Sequence, residues 1–171
     1  LEAALESYQK AFELNSNSPE IHNNIANTLK DLGQLDNAIE SYEKALKLNP
    51  KFAEAYYNKG IVLKKLRKLD DAVVDFKNAI SNRPDFAEAY NNLGSALHAL
   101  GQTNEAIQYC EKALSINPNY AEGYNNFGNI LKDLRRSNAA KKYYEKAIEI
   151  KPDYAEAIVN LASIYSDKKI E

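Results

Sequence analysis

The chain has no methionine and only one cysteine, Cys110, among its 171 residues. A single thiol makes no intrachain disulfide and gathers no thiolate cluster around a metal. That fits a reducing compartment, and a cytoplasmic location is the expectation. With no initiator methionine and no basic-then-apolar leader ahead of Leu1, the sequence reads as a segment of a longer protein. An excess of charge of either sign is also missing. Lysine and arginine number 22 against 24 acidic residues, a net charge of -2, whereas a nucleic-acid partner calls for a strongly basic surface. No apolar run approaches the roughly 18 residues that span a membrane. There is no glycine-rich phosphate loop, no His-Glu-x-x-His pair and no activated nucleophile, so neither catalysis nor a bound cofactor or metal is expected. What is present is 44% hydrophobic and 27% charged residues, enough to build the core of a soluble, folded protein.

Proline is scarce but regular. Pro50, Pro84, Pro118 and Pro152 lie 34 residues apart. Each opens the same text: "NPKFAEAYYNKG", "RPDFAEAYNNLG", "NPNYAEGYNNFG" and "KPDYAEAIVNLA" are preceded in register by "NSNSPEIHNNIA". Position one of the unit is Pro19, Ala53, Ala87, Ala121 and Ala155. Position eight is then Ala26, Gly60, Gly94, Gly128 and Ala162. Position 20 is Ala38, Ala72, Ala106 and Ala140, position 27 is Ala45, Ala79, Ala113 and Ala147, and position 24 is Tyr42, Phe76, Cys110 and Tyr144.

Within one unit, Tyr90, Leu93, Leu97 and Leu100 fall on one face of a helix, as do Ala106, Ile107, Cys110, Ala113 and Leu114 on a second. Small residues at positions eight and 20 allow the two helices to approach closely. Asp36, Asp70, Asn104 and Asn138 are expected to cap the second helices. Pro19, after Ser18, suits the first turn of its own helix, and each later proline closes a unit that it cannot continue.

The small–small–aromatic–small–proline pattern resembles the tetratricopeptide repeat family over the whole chain. The resemblance implies an all-α fold, a right-handed α-solenoid of 34-residue helix-turn-helix repeats with about ten helices. The repeats run 19–52, 53–86, 87–120 and 121–154 as one array over 1–171, between half repeats at 1–18 and 155–171. It also implies that the first helix of each pair lines a concave groove.

Function is therefore sought on that groove. Position six is Asn24, Asn58, Asn92, Asn126 and Asn160. An asparagine side chain both donates and accepts, so the row can pair with the backbone of an extended peptide. The row resembles the asparagine ladder in the superhelix of O-linked N-acetylglucosamine transferases, where such residues hold substrate peptides. The same asparagines also suit packing or solvation within the family's common pattern. Two charged stripes run beside them: Glu20, Glu54, Glu88, Glu122 and Glu156 at position two, and Lys30, Lys64, His98, Lys132 and Ser166 at position 12. Both also suit the helix dipole. Asn27 and Asn129 at position nine and Tyr57 at position five complete the candidate peptide-binding set.

Chaperone-binding members of the family grip a carboxylate with cations at positions two, five and six. Those cations are absent here, which argues against such a clamp. The expected partner is a protein or peptide, taken up by a scaffold, by the docking region of a larger glycosyltransferase-type enzyme, or by a self-assembling array. The basic turns "KKLRK" (64–68) and "LRR" (134–136) alternate with Gly-Gln turns, so no continuous phosphate track forms. His22 is read as a packing residue, His98 as lying on the groove side with no metal-ligand partner at hand, and Cys110 as buried and inert. Ile158, Leu161 and Tyr165 at one end, and Leu5, Tyr8 and Phe12 at the other, are expected to support head-to-tail association.

Overall fold

The structure, a computed structural model, describes residues 17–167. Leu5, Tyr8 and Phe12 of the expected N-terminal half repeat lie outside them. Nine α-helices and no strand occupy the described residues. The first helices of the repeats are α1 (Pro19–Asp31), α3 (Ala53–Lys65), α5 (Ala87–Ala99), α7 (Ala121–Asp133) and α9 (Ala155–Asp167). The second helices are α2 (Leu35–Leu48), α4 (Leu69–Asn82), α6 (Thr103–Ile116) and α8 (Ser137–Ile150). The chain divides into two compact units, Leu1–Asp85 and Phe86–Glu171. Within each unit a second helix packs on the first helix of its own repeat and on that of the next, and successive first helices touch.

Local chemistry explains the boundaries. Ser18 caps α1: its Oγ accepts from the Ile21 N–H at 3.3 Å and donates to Glu20 at 2.7 Å, with Pro19 at the first helical position. The second helices start differently from the sequence expectation. Their N-caps are Gln34, Lys68, Gln102 and Arg136, without side-chain capping bonds, so Asp36, Asp70, Asn104 and Asn138 sit inside the first turn instead.

The cause is the turn itself. The Gln34 N–H bonds to the Leu29 carbonyl at 2.9 Å and the Gly33 N–H to Lys30 at 3.0 Å, a Schellman closure with Gly33 left-handed at φ 78. The same two bonds recur at Arg67–Lys68, Gly101–Gln102 and Arg135–Arg136. The residue that ends one closure is already the N-cap of the next helix, for the Ala38 N–H bonds to the Gln34 carbonyl at 3.0 Å. No room remains for a separate capping side chain.

Small residues bring the helices of a pair together. Ala26, Ala38 and Ala45, and their counterparts Ala72, Ala79, Ala106, Ala113, Ala140 and Ala147, are fully buried. At position eight a Cβ on Gly128 would lie 2.5 Å from the Tyr144 ring, and one on Gly94 would lie 2.5 Å from Cys110 Sγ. The position-24 side chain fills that space. Tyr42, Phe76, Cys110 and Tyr144 are each at most 1% exposed, and burial pushes the Cys110 thiol up to about 12, with Glu111 adding to the shift. The inert, buried reading of Cys110 agrees with this, as does packing for His22, which is 9% exposed.

Candidate functional site

All five position-six asparagines are half-buried, and three make the same long-range bond. Asn58 Nδ2 donates to Asn23 Oδ1 at 3.3 Å, Asn126 to Asn91 at 3.3 Å, and Asn160 to Asn125 at 2.9 Å. In each case the acceptor is the position-five asparagine of the preceding repeat. Those acceptors are buried, Asn125 completely, and the amides of Asn91 and Asn125 are used as well. Asn125 donates to Glu156 at 2.9 Å and Asn91 to the Tyr120 hydroxyl at 3.3 Å. The row is thus a run of amide bonds that ties neighbouring first helices together within each unit. Of the other two, Asn92 Nδ2 donates to the Glu88 carbonyl at 3.0 Å, while the carbonyl of Asn24 accepts from Thr28 Oγ1 at 3.0 Å.

The role of Asn23, Asn91 and Asn125 was missed from sequence. The signal lies in the "NN" dipeptide that recurs at positions five and six, whose first asparagine bonds to the next repeat.

The position-nine asparagines turn inward. Asn27 Oδ1 accepts from the Tyr42 hydroxyl at 2.6 Å and Asn129 Oδ1 from Tyr144 at 2.8 Å. A buried phenol requires such a partner, and the repeats with Phe76 and Cys110 at position 24 carry Ile61 and Ser95 instead at position nine. Asn129 Oδ1 also accepts from Asn160 Nδ2 at 3.0 Å. Burial raises the Tyr144 phenol to about 12, assisted by Asp133 and Glu156.

The charged candidates also have neighbours. His98 Nε2 lies 2.9 Å from Asp133 Oδ2, and Nδ1 lies 3.3 Å from Thr103 Oγ1. This corrects the expectation that His98 has no ligand-type partner: the carboxylate arrives from the next repeat, 35 residues away. Among the described residues, however, no three such groups converge to hold a metal. Lys132 Nζ donates to Ser163 Oγ at 2.7 Å, and Lys30 lies 3.7 Å from Asp31. Lys64 is half-buried, and desolvation lowers its pKa. The Tyr57 ring is half-buried and meets Phe76 at 6.1 Å between centroids. Along position two, Glu54 pairs with Arg83 at 2.6 Å. On α9, Ile158, Val159 and Tyr165 are 44%, 66% and 49% exposed.

Profiles described as TPR repeat match residues 1–33 and 26–67, and profiles described as tetratricopeptide repeat match 53–86, 87–120 and 121–154. No curated protein matches the chain. Among solved structures, the chain is similar to YrrB, a TPR protein with an unusual peptide-binding site, at 29% identity and TM-score 0.76, covering 97% of this chain and 86% of that one. It is similar to MamA at 29% identity and TM-score 0.76, with 89% of each chain covered. TTC0263, a thermophilic TPR protein of Thermus thermophilus, shares the fold at TM-score 0.81 and 22% identity, covering 96% of this chain and 90% of that one.

Proposed function

Because the chain belongs to the tetratricopeptide repeat family, whose stacked helix pairs serve as protein-interaction scaffolds, we propose that it holds an extended peptide segment of a partner protein against its first helices. The observation that carries this reading is the state of the position-six amides. Asn58 and Asn126 each commit one N–H to the neighbouring repeat. That leaves a second N–H and the Oδ1 acceptor of each without a bond among the described residues. A side chain held this way offers both halves of a peptide-backbone pairing and has little rotamer freedom left to lose. The YrrB likeness supports the same reading, since that protein is named for a peptide-binding site. No helix among the described residues is long and apolar enough to cross a membrane, and the family's repeats are generally non-catalytic.

The test begins by selecting peptides from a random display library on the whole chain. Their affinity is then measured for Asn58→Ala, Asn126→Ala and the double variant, with helicity followed by circular dichroism. Loss of about tenfold in affinity, near 1.4 kcal/mol, at unchanged helicity is expected. Unaltered affinity removes the asparagines from the account. A second reading, head-to-tail self-association, is favoured by two of the residues expected to support it, the exposed Ile158 and Tyr165. Sedimentation that stays monomeric at high concentration rules it out.

A further inference from the structure

Positions seven and 23 face each other between the two helices in the second and fourth repeats. In the fourth repeat they are Phe127 and Tyr143, whose rings meet edge to face at 4.6 Å between centroids. In the first and third repeats they are Ile25 with Ser41 and Leu93 with Tyr109. In the second repeat the same slots hold Lys59 and Asp75. The Lys59 ammonium lies 3.3 Å from Asp75 Oδ2 and 3.8 Å from Glu43 Oε1. Asp75 is 4% exposed, and that ammonium is the partner of its buried Oδ2. The charged pair lines a cavity of about 370 Å³ within the first unit. It is bounded by α2, α3 and α4 and lies away from the asparagine row.

Its lining is amphipathic. Leu63 and Val74 supply apolar surface, and Val74 is 58% exposed. The lining also carries three carboxylates, Glu43, Asp71 and Asp75, and two ammonium groups, Lys59 and Lys68. Lys59 already stands between two of those carboxylates, so one negative charge is left over. An anion entering here would meet the carboxylates. A cation with an aliphatic stem would lay the stem on Val74 and Leu63 and bring the charge to the carboxylates. A planar guanidinium, with five donors, suits several oxygens better than an ammonium does. The volume falls in the lower part of the roughly 300–1,000 Å³ typical of ligand pockets.

We propose that this cavity is a receptor for an arginine side chain presented by a partner protein. The proposal is independent of the peptide reading above. Burying a charged pair where the fourth repeat packs two aromatic rings sacrifices stability, as binding sites commonly do.

The probe is Nα-acetyl-arginine amide, titrated into the isotopically labelled whole chain, with the neutral isostere Nα-acetyl-citrulline amide as control. Saturable amide shifts confined to α2, α3 and α4 are expected for arginine, with citrulline at least tenfold weaker. Glu43→Gln, on an exposed side chain, should weaken binding about twofold to fivefold without affecting folding. Lys59→Phe/Asp75→Tyr, which copies the fourth repeat, should abolish saturation. Linear, non-saturating shifts, equal shifts from citrulline, or an undiminished response in the filled variant would each overturn the proposal. The first of these would leave the cavity to water.

Discussion

Replacing Asp75 by asparagine should make the protein more stable at neutral pH. Burial, opposed by Lys59 and reinforced by Asp71 and Glu43, lifts the Asp75 carboxyl from 3.8 to about 6. The attraction of Lys59 is already included in that balance, so desolvation outweighs the ion pair. A difference of this size corresponds to about 3 kcal/mol. Its sign follows from proton counting. Between about pH 4 and pH 6 the folded state keeps a proton that the unfolded state has released, so Asp75 makes stability fall as pH rises through that window. Above pH 6 the cost is present in full.

Asparagine cannot ionise and mimics the protonated acid. Asp75→Asn is therefore expected to gain about 1–3 kcal/mol at pH 7 and almost nothing at pH 4. The assay is urea unfolding followed by circular dichroism from pH 4 to 7.5 at constant ionic strength. Differences from the parent chain are taken at each pH so that other carboxylates cancel. Hydrogen exchange in α2, α3 and α4 checks that the gain is local, since repeat arrays need not unfold in one step. A variant less stable at pH 7, by an amount independent of pH, would show the Lys59–Asp75 pair to be a net stabiliser and refute the reasoning.

Three further outcomes follow from the turns and the helix contacts. Arg67 and Arg135 occupy left-handed backbone at φ 64 and 56, where the sister turns place Gly33 and Gly101. Arg67→Gly and Arg135→Gly should each stabilise by about 0.5–1 kcal/mol in thermal or urea melts, while Gly101→Ala should cost about 1 kcal/mol. Gly94→Ala would place its Cβ 2.5 Å from Cys110 Sγ and 3.0 Å from the Ala106 carbonyl oxygen. It should destabilise by about 1–3 kcal/mol, with part of that loss recovered on a Cys110→Ala background in a double-mutant cycle. With its thiol raised to about 12 and 1% exposed, Cys110 should resist alkylation at pH 8 until denaturant is added; rapid labelling of the native chain would contradict its burial.

The helices, their pairing and the interior were legible in the 34-residue period. Proline stops, small residues at positions eight, 20 and 27, and apolar faces are properties of local text, and local text determines helical periodicity and close approach. The start of the second helices was misread because a Schellman closure is made by backbone atoms, and Asp36 and its equivalents leave no trace of that in composition. The asparagine row is plain as a pattern in the sequence, but its bonding was not legible. Asn126 and Asn91, like His98 and Asp133, are 35 residues apart, and only the packing of one repeat on the next decides which amide N–H is consumed. The Lys59–Asp75 pair stood in plain view as two charged letters at positions that hold uncharged residues in the other repeats. Its cost arises from burial, which depends on every helix around it. The sequence alone determined a stack of helix pairs, because that depends on short-range pattern. Which polar groups are satisfied, and which remain to meet a partner, was decided only by tertiary structure, because hydrogen bonding and desolvation are set by neighbours distant along the chain.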